Sequence, residues 1–182
     1  MKSIIYLHIG QYFASKDPVI IQTILGSCVS VCFYDPVTRI GGMNHILYSG
    51  EVRSSYDYNA RYGINAMELL INEMVGLGAV RSRLIAKVFG GGNMFNFDQK
   101  NQQGIKNTDF VIRFLELDGI KLVAQDTGGR FSRKILFHTD TGRTLLKRRK
   151  AIINVNKKGK DFIDTTKKVK TIPQKPGDIT LF

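Results

Sequence analysis

Residues 25–36 read LGSCVSVCFYDP and hold both cysteines of a 182-residue chain, four positions apart. From residue 28 the polarity alternates: Val29, Val31 and Phe33 fall on one face of an extended segment, and Cys28, Ser30, Cys32 and Tyr34 on the other. A strand with two usable faces needs a layer on each side. At ~3.3 Å per residue the two cysteine Cα atoms lie roughly 13 Å apart along such a strand. A disulfide requires less than about 7 Å, so an extended 28–34 excludes a Cys28–Cys32 redox pair. Two cysteines and three scattered histidines match no zinc spacing, and no metal or cofactor is expected. The residues alone leave two readings of Cys28 open: a small buried hydrophobe, or a nucleophile.

Working outward, KSIIYLH (2–8) and VIIQTIL (19–25) read as strands joined by a connector, GQYFASKDP. DPVTRIGG is turn chemistry, and MNHILYS (43–49) is the next strand. GINAMELLINEMVGL (63–77) places apolar residues at 64, 67, 70, 71, 74 and 75, one stripe of a helix. LIAKVF leads into the glycine run 90–92, and NTDFVIRFLELD (107–118) reads as a second helix capped by Asn107 or Thr108. IKLVAQD, KILFHTD and RTLLKRRK are strands, with a hairpin turn at 140–143. Hairpins plus two main helices predict an α+β fold with mostly antiparallel sheets. Residues 1–150 read as one domain, and 151–182 as a Lys-rich C-terminal extension without sustained periodicity.

The formal charge is +12, and most of it lies beyond residue 142. Charge of that kind gives nonspecific, salt-sensitive attraction to polyanions, but the tail is poor in aromatics for base stacking; no specific nucleic acid is expected. The N-terminus MKSIIYLHIGQYF lacks a long apolar core and a cleavage site, so a signal peptide is not expected. No apolar run approaches the ~20 residues of a membrane span. A cytoplasmic protein with free thiols and no membrane insertion is the expectation.

His45 gives the nucleophile reading its partner. If 28–34 and 43–48 form a hairpin turning between Pro36 and Val37, residue numbers of opposed pairs sum to 73, which sets Cys28 opposite His45 at about 5 Å between Cβ atoms. A bulge at Gly41–Gly42 would shift this by one. An imidazole beside a thiol can draw its pKa down and later protonate a leaving amine. Gly26 and Ser27, just before the cysteine, supply a tight turn whose backbone N–H groups can hold an oxyanion. The triple glycine at 90–92 lacks the Lys-Ser/Thr of a phosphate loop and reads as a turn beside the site. Phe89 reads as core; Met94 and Phe95 are candidates for core or a contact surface. His8 and His138 read as structural or solvent-facing.

LGSCVSVCFYDP through IGGMNH, KVFGGGNMF (87–95), GIKN (104–107) and DTGGRFSRKILFHTDTG (126–142) together resemble the CheD family of chemoreceptor glutamine deamidases, in order over residues 3–150. The resemblance implies an α/β/β sandwich and cysteine-hydrolase chemistry. Its nucleophile maps onto Cys28 and its histidine onto His45. The family's third residue, a threonine shortly before the cysteine, maps onto Thr23, next to Gln22. Lys106 stands where an arginine is usual, and the tail beyond 150 has no counterpart. The substrates so implied are cytoplasmic helices of chemoreceptors. The implied partner is a CheC-type phosphatase of the response regulator CheY. The competing reading is a non-catalytic adaptor that regulates such a phosphatase.

Overall fold

A computed structural model describes residues 2–47, 63–93, 103–150 and 179–182. Ten strands and two helices are formed in them: β1 (Ile4–Tyr6), β2 (Tyr12–Ser15), β3 (Ile20–Leu25), β4 (Val29–Asp35), β5 (Ile40–Asn44), α1 (Ile64–Gly76), β6 (Ile85–Gly90), α2 (Gln103–Leu117), β7 (Lys121–Thr127), β8 (Phe131–His138), β9 (Thr144–Lys150) and β10 (Ile179–Leu181). They make two five-stranded sheets, ordered β1-β3-β8-β9-β10 and β2-β5-β4-β6-β7. Among the described residues only β1–β3 and β6–β7 pair in parallel. Met94, Phe95 and most of the expected extension lie outside the described residues.

The alternation in β4 sorts the core into two layers. Val29, Val31 and Phe33 pack with Met67, Leu70, Ile71 and Met74 of α1 and Val111 and Leu115 of α2. Cys28 and Cys32 face the other way, into the layer between the sheets, with Ile21, Leu25, Phe89, Ile135 and Phe137. The architecture is therefore helices on sheet on sheet, the expected α/β/β sandwich. Each fully buried Leu, Ile or Met in these layers contributes about 1.5–3 kcal/mol, which is why the helix stripe follows 67, 70, 71 and 74. Val75, on the margin of that stripe, stays exposed.

The structure corrects three expectations. The connector contains β2, an edge strand made by pairing Tyr12–Ser15 with Gly41–Asn44 of β5. Helix α2 begins at Gln103, so Asn107 lies one turn inside it and is buried rather than capping. The β4–β5 hairpin pairs Asp35 with Ile40 and Cys32 with Met43, a sum of 75 and not 73. Asp35 sets that register: its carboxylate accepts the Val37 N–H at 2.9 Å and its carbonyl accepts the Arg39 N–H at 2.8 Å. Arg39 takes the left-handed conformation, φ 57°, that ends the four-residue loop. Gly41 and Gly42 remain in the ladder opposite Tyr34 and Phe33, with no bulge.

The chain's last residues return to the fold. β10 pairs antiparallel with β9, Thr144 and Phe182 exchange both backbone hydrogen bonds, and the Phe182 ring meets Phe89 edge-on at 5.5 Å.

Candidate active site

Register decides what faces Cys28. The two-residue correction keeps every side chain on its face, because the strand period is two. A bridge between Val29 and Ile46 extends the hairpin, with hydrogen bonds of 2.9 and 2.7 Å. His45 is thus opposed to Ser30 and is the diagonal, same-face neighbour of Cys28, within reach of a long side chain. His45 is 4% exposed and Cys28 7%. The preceding residue, Asn44, is buried on the helix face, accepts the Val31 N–H at 2.9 Å and donates to the Ala66 carbonyl at 3.1 Å. That side chain locks the end of β5 against both β4 and α1, and so fixes where His45 starts.

Thr23 reaches His45 from the other sheet. Its Oγ1 lies 2.8 Å from His45 Nδ1 and 2.9 Å from the Leu7 carbonyl. A carbonyl only accepts, so the single hydroxyl proton goes to Leu7, and the oxygen lone pair receives Nδ1–H. This assigns the tautomer: Nε2 carries the free lone pair. His45 Nε2 is buried and has no hydrogen-bond partner among the described residues. A base held by one nitrogen with the other unsatisfied is the arrangement that accepts a proton from a neighbouring nucleophile.

The electrostatics differ from the sequence expectation. Burial pushes the Cys28 thiol up, and its own backbone N–H offsets only part of this. Burial also pulls His45 down to about 4; the Leu7 carbonyl opposes the shift and His8 adds to it. Both shifts favour neutral forms, so the resting pair is thiol and imidazole, with no preformed thiolate. Cys32 is completely buried, and burial drives its thiol far above the usual range despite the nearby Lys87; it is core.

Cys28 sits on a loop whose carbonyls are all engaged. Gly26 O accepts the Gly92 N–H at 2.8 Å, Ser27 O accepts from Asn107 Nδ2 at 3.1 Å, and Cys28 O accepts the Gly91 N–H at 2.8 Å. Within a planar trans peptide the N–H points opposite to the C=O, so these bonds turn the Ser27 N–H away from the glycine run and the Cys28 N–H away from Asn107. The glycine run is the turn expected beside the site, and it holds the loop directly. It is itself braced: Gly128 N–H donates to Gly90 O at 2.9 Å, and Arg133 Nη2 donates to Gly128 O at 2.7 Å. Arg133 is 2% exposed and doubly bonded to the buried Asp126 carboxylate. Sequence reading saw Arg133 and Asp126 only as letters within a longer motif and Asn107 as a helix cap; a polar side chain's burial is not visible without the fold. His8 is exposed and borders a cavity of about 440 Å³ whose wall includes Thr23 and His45. His138 is half-buried.

A family model described as CheD chemotactic sensory transduction matches residues 48–148. The chain belongs to the CheD family. A probable chemoreceptor glutamine deamidase CheD 1 from Shewanella oneidensis is 40% identical over 176 residues, covering 95% of this chain and 84% of that one. A probable chemoreceptor glutamine deamidase CheD from Stenotrophomonas maltophilia is 46% identical, covering 76% and 69%. Another, from Zymomonas mobilis, is 39% identical, covering 93% and 86%. The Shewanella and Zymomonas matches span nearly the whole chain, Thr23, Cys28 and His45 included, whereas the family model covers residues that follow His45. Among the described residues no helix is long and apolar enough to cross a membrane, and no cluster of metal-binding side chains occurs.

Proposed function

We propose that this CheD-family chain deamidates glutamine side chains of chemoreceptors, with Cys28 as nucleophile, His45 as general base and acid, and Thr23 orienting His45. The observation that carries this reading is the buried, unpartnered Nε2 of a histidine whose other nitrogen is held by Thr23, on the face that also bears Cys28. Because both groups rest neutral, His45 takes the thiol proton as sulfur attacks the δ-carboxamide carbon. The Ser27 and Cys28 N–H groups stabilise the oxyanion, with Gly26 giving the turn its shape. Donors of this kind are worth roughly 3–4 kcal/mol each in well-studied hydrolases. His45 then protonates the departing ammonia, leaving a thioester. A water, deprotonated by the same Nε2, hydrolyses the thioester to glutamate and returns the thiol. Every proton passes through one nitrogen, which is why the tautomer matters.

The substrate places the reaction in the cytoplasm, on the receptor's signalling helices, and a CheC-type phosphatase is a candidate partner. Residues 1–150 carry the machinery, and 151–182 form an extension whose end closes on β9. The test is mass spectrometry of a receptor cytoplasmic fragment incubated with wild type, Cys28→Ala and His45→Ala. The mass gain of amide turned to acid at defined glutamines, lost in both variants, is the expected result. No change with wild type would sink the reading.

A further inference from the structure

We infer that Asn107 is a positioning residue for the nucleophile–base pair, the one side chain that ties the loop carrying Cys28 to the strand end carrying His45. Its carboxamide is fully buried in α2, and one NH2 group donates both to Ser27 O at 3.1 Å and to Leu47 O at 2.9 Å. Ser27 immediately precedes the nucleophile, and Leu47 lies two residues beyond the base. The ladder itself is thin here: β4 starts at Val29 and β5 stops at Asn44, and a single bridge at Val29–Ile46 follows. Asn107 adds a side-chain cross-tie beside that single bridge.

The amide is held in the orientation that makes this work. Gln103 Nε2, one helical turn earlier, donates to Asn107 Oδ1 at 2.9 Å, which turns the NH2 group towards the two carbonyls. The placement of α2 follows from the same contact region. Gly104 lies so close to the glycine run that a Cβ there would sit 2.5 Å from Gly91 O. Gly91 N–H in turn holds Cys28 O. Helix, glycine run and nucleophile loop therefore form one rigid unit, and Asn107 is its only side-chain link among the described residues to both catalytic segments. Engaging Ser27 O also directs the Cys28 N–H, in the same peptide, to the opposite side, where the oxyanion forms. Loss of Asn107 thus affects both the reach from sulfur to Nε2 and the oxyanion donor.

This inference rests on the deamidase reading, and its test has an arm that does not. In full-length Asn107→Ala, kcat for receptor-fragment deamidation falls about 10- to 100-fold with KM nearly unchanged, as expected for a misplacement of catalytic groups by a fraction of an ångström to an ångström. In parallel, the pH–rate profile for alkylation of Cys28 by iodoacetamide is measured in wild type, His45→Ala and Asn107→Ala, each in a Cys32→Ser background. The expected result is that Asn107→Ala loses the His45-dependent limb and coincides with His45→Ala. If wild type fails to deamidate but the alkylation profiles still merge, the function is wrong and the positioning role stands. An Asn107→Ala profile identical to wild type per folded molecule overturns the inference and makes Asn107 a structural clamp only. Should Asn107→Ala not fold, Gln103→Met replaces it: releasing the amide is expected to shift the same profile in the same direction, and an unchanged profile again overturns the inference.

Discussion

Replacing Thr23 with valine removes one oxygen and keeps the shape of the side chain. Two buried groups lose their partner: the Leu7 carbonyl and His45 Nδ1–H, whose residues are 7% and 4% exposed. Leaving a buried polar group unsatisfied costs about 1–3 kcal/mol. Here the two orphans can satisfy each other in part, because the Leu7 carbonyl already acts on the imidazole. If Nδ1–H swings to Leu7, the stability loss stays near the low end, about 1 kcal/mol, but the ring turns and carries Nε2 with it. The expected outcome is therefore lopsided. Urea unfolding shows a small loss, while kcat falls about 10- to 100-fold, equivalent to about 1.4–2.8 kcal/mol of barrier. Ammonia release from a receptor fragment measures kcat, and Thr23→Ser, which restores the hydroxyl, returns to near wild type. Retention of wild-type kcat in Thr23→Val, or an equal fall in Thr23→Ser, refutes the orienting role and the tautomer drawn from it.

Two further predictions follow from the same site. His45 is held at about 4 against an ordinary 6.5, so between those values the unfolded chain binds a proton that the folded chain refuses. That stability is fully present above pH 6.5 and is lost as pH falls towards 4, by up to about 3 kcal/mol; urea midpoints at pH 7 and 4.5 should differ less in His45→Gln than in wild type, and equal slopes would count against a buried neutral histidine. Gly91 and Gly119 share a left-handed conformation, φ 63° and 67°, but a Cβ at Gly91 would sit 2.2 Å from Thr108 Oγ1, whereas at Gly119 it meets nothing within 4 Å. Gly119→Ala should cost only the left-handed penalty of about 1–2 kcal/mol and keep its activity; Gly91→Ala should lose more stability, and activity with it, because its N–H holds Cys28 O.

The sequence was legible where one physical rule acted alone. The period-two pattern of β4 told which residues face the helices and which face the second sheet, since nothing but burial on each side decides it. The α1 stripe was legible for the same reason. Register was not, because it depends on loop geometry: the Asp35 carboxylate and the left-handed Arg39 lengthen the turn to four residues. Strand β2 was missed because YFAS is only four residues long and sits between the turn residues Gly10 and Asp17-Pro18; its pairing with β5 makes it a strand. The start of α2 was missed because Gln103 carries no capping signal, while the close packing of Gly104 on Gly91 places the first turn. Thr23 and His45 come from different sheets, so no hairpin arithmetic pairs them; the family resemblance drew attention to Thr23, and the hydrogen bond shows where its hydroxyl points.

The protonation states of the pair were the least legible part, and they shape the mechanism most. A cysteine beside a histidine invites the assumption of a thiolate–imidazolium pair, which holds when attraction between the charges outweighs their desolvation. Here burial raises the thiol and lowers the imidazole, and both shifts oppose the ion pair. Moving the proton from sulfur to Nε2 is therefore uphill until a third charge appears. In the proposed mechanism that charge is the oxyanion, which forms only when a carboxamide is seated against the Ser27–Cys28 N–H groups. Proton transfer and attack become one event, driven by the correct substrate. An off-target electrophile that builds no oxyanion at that position has His45 alone to take the thiol proton, and reacts more slowly. Burial thus supplies selectivity in the proposed mechanism: the neutral thiol reacts slowly with adventitious electrophiles, and the same low-dielectric surroundings that suppress the ion pair strengthen the N–H donors once the tetrahedral intermediate forms.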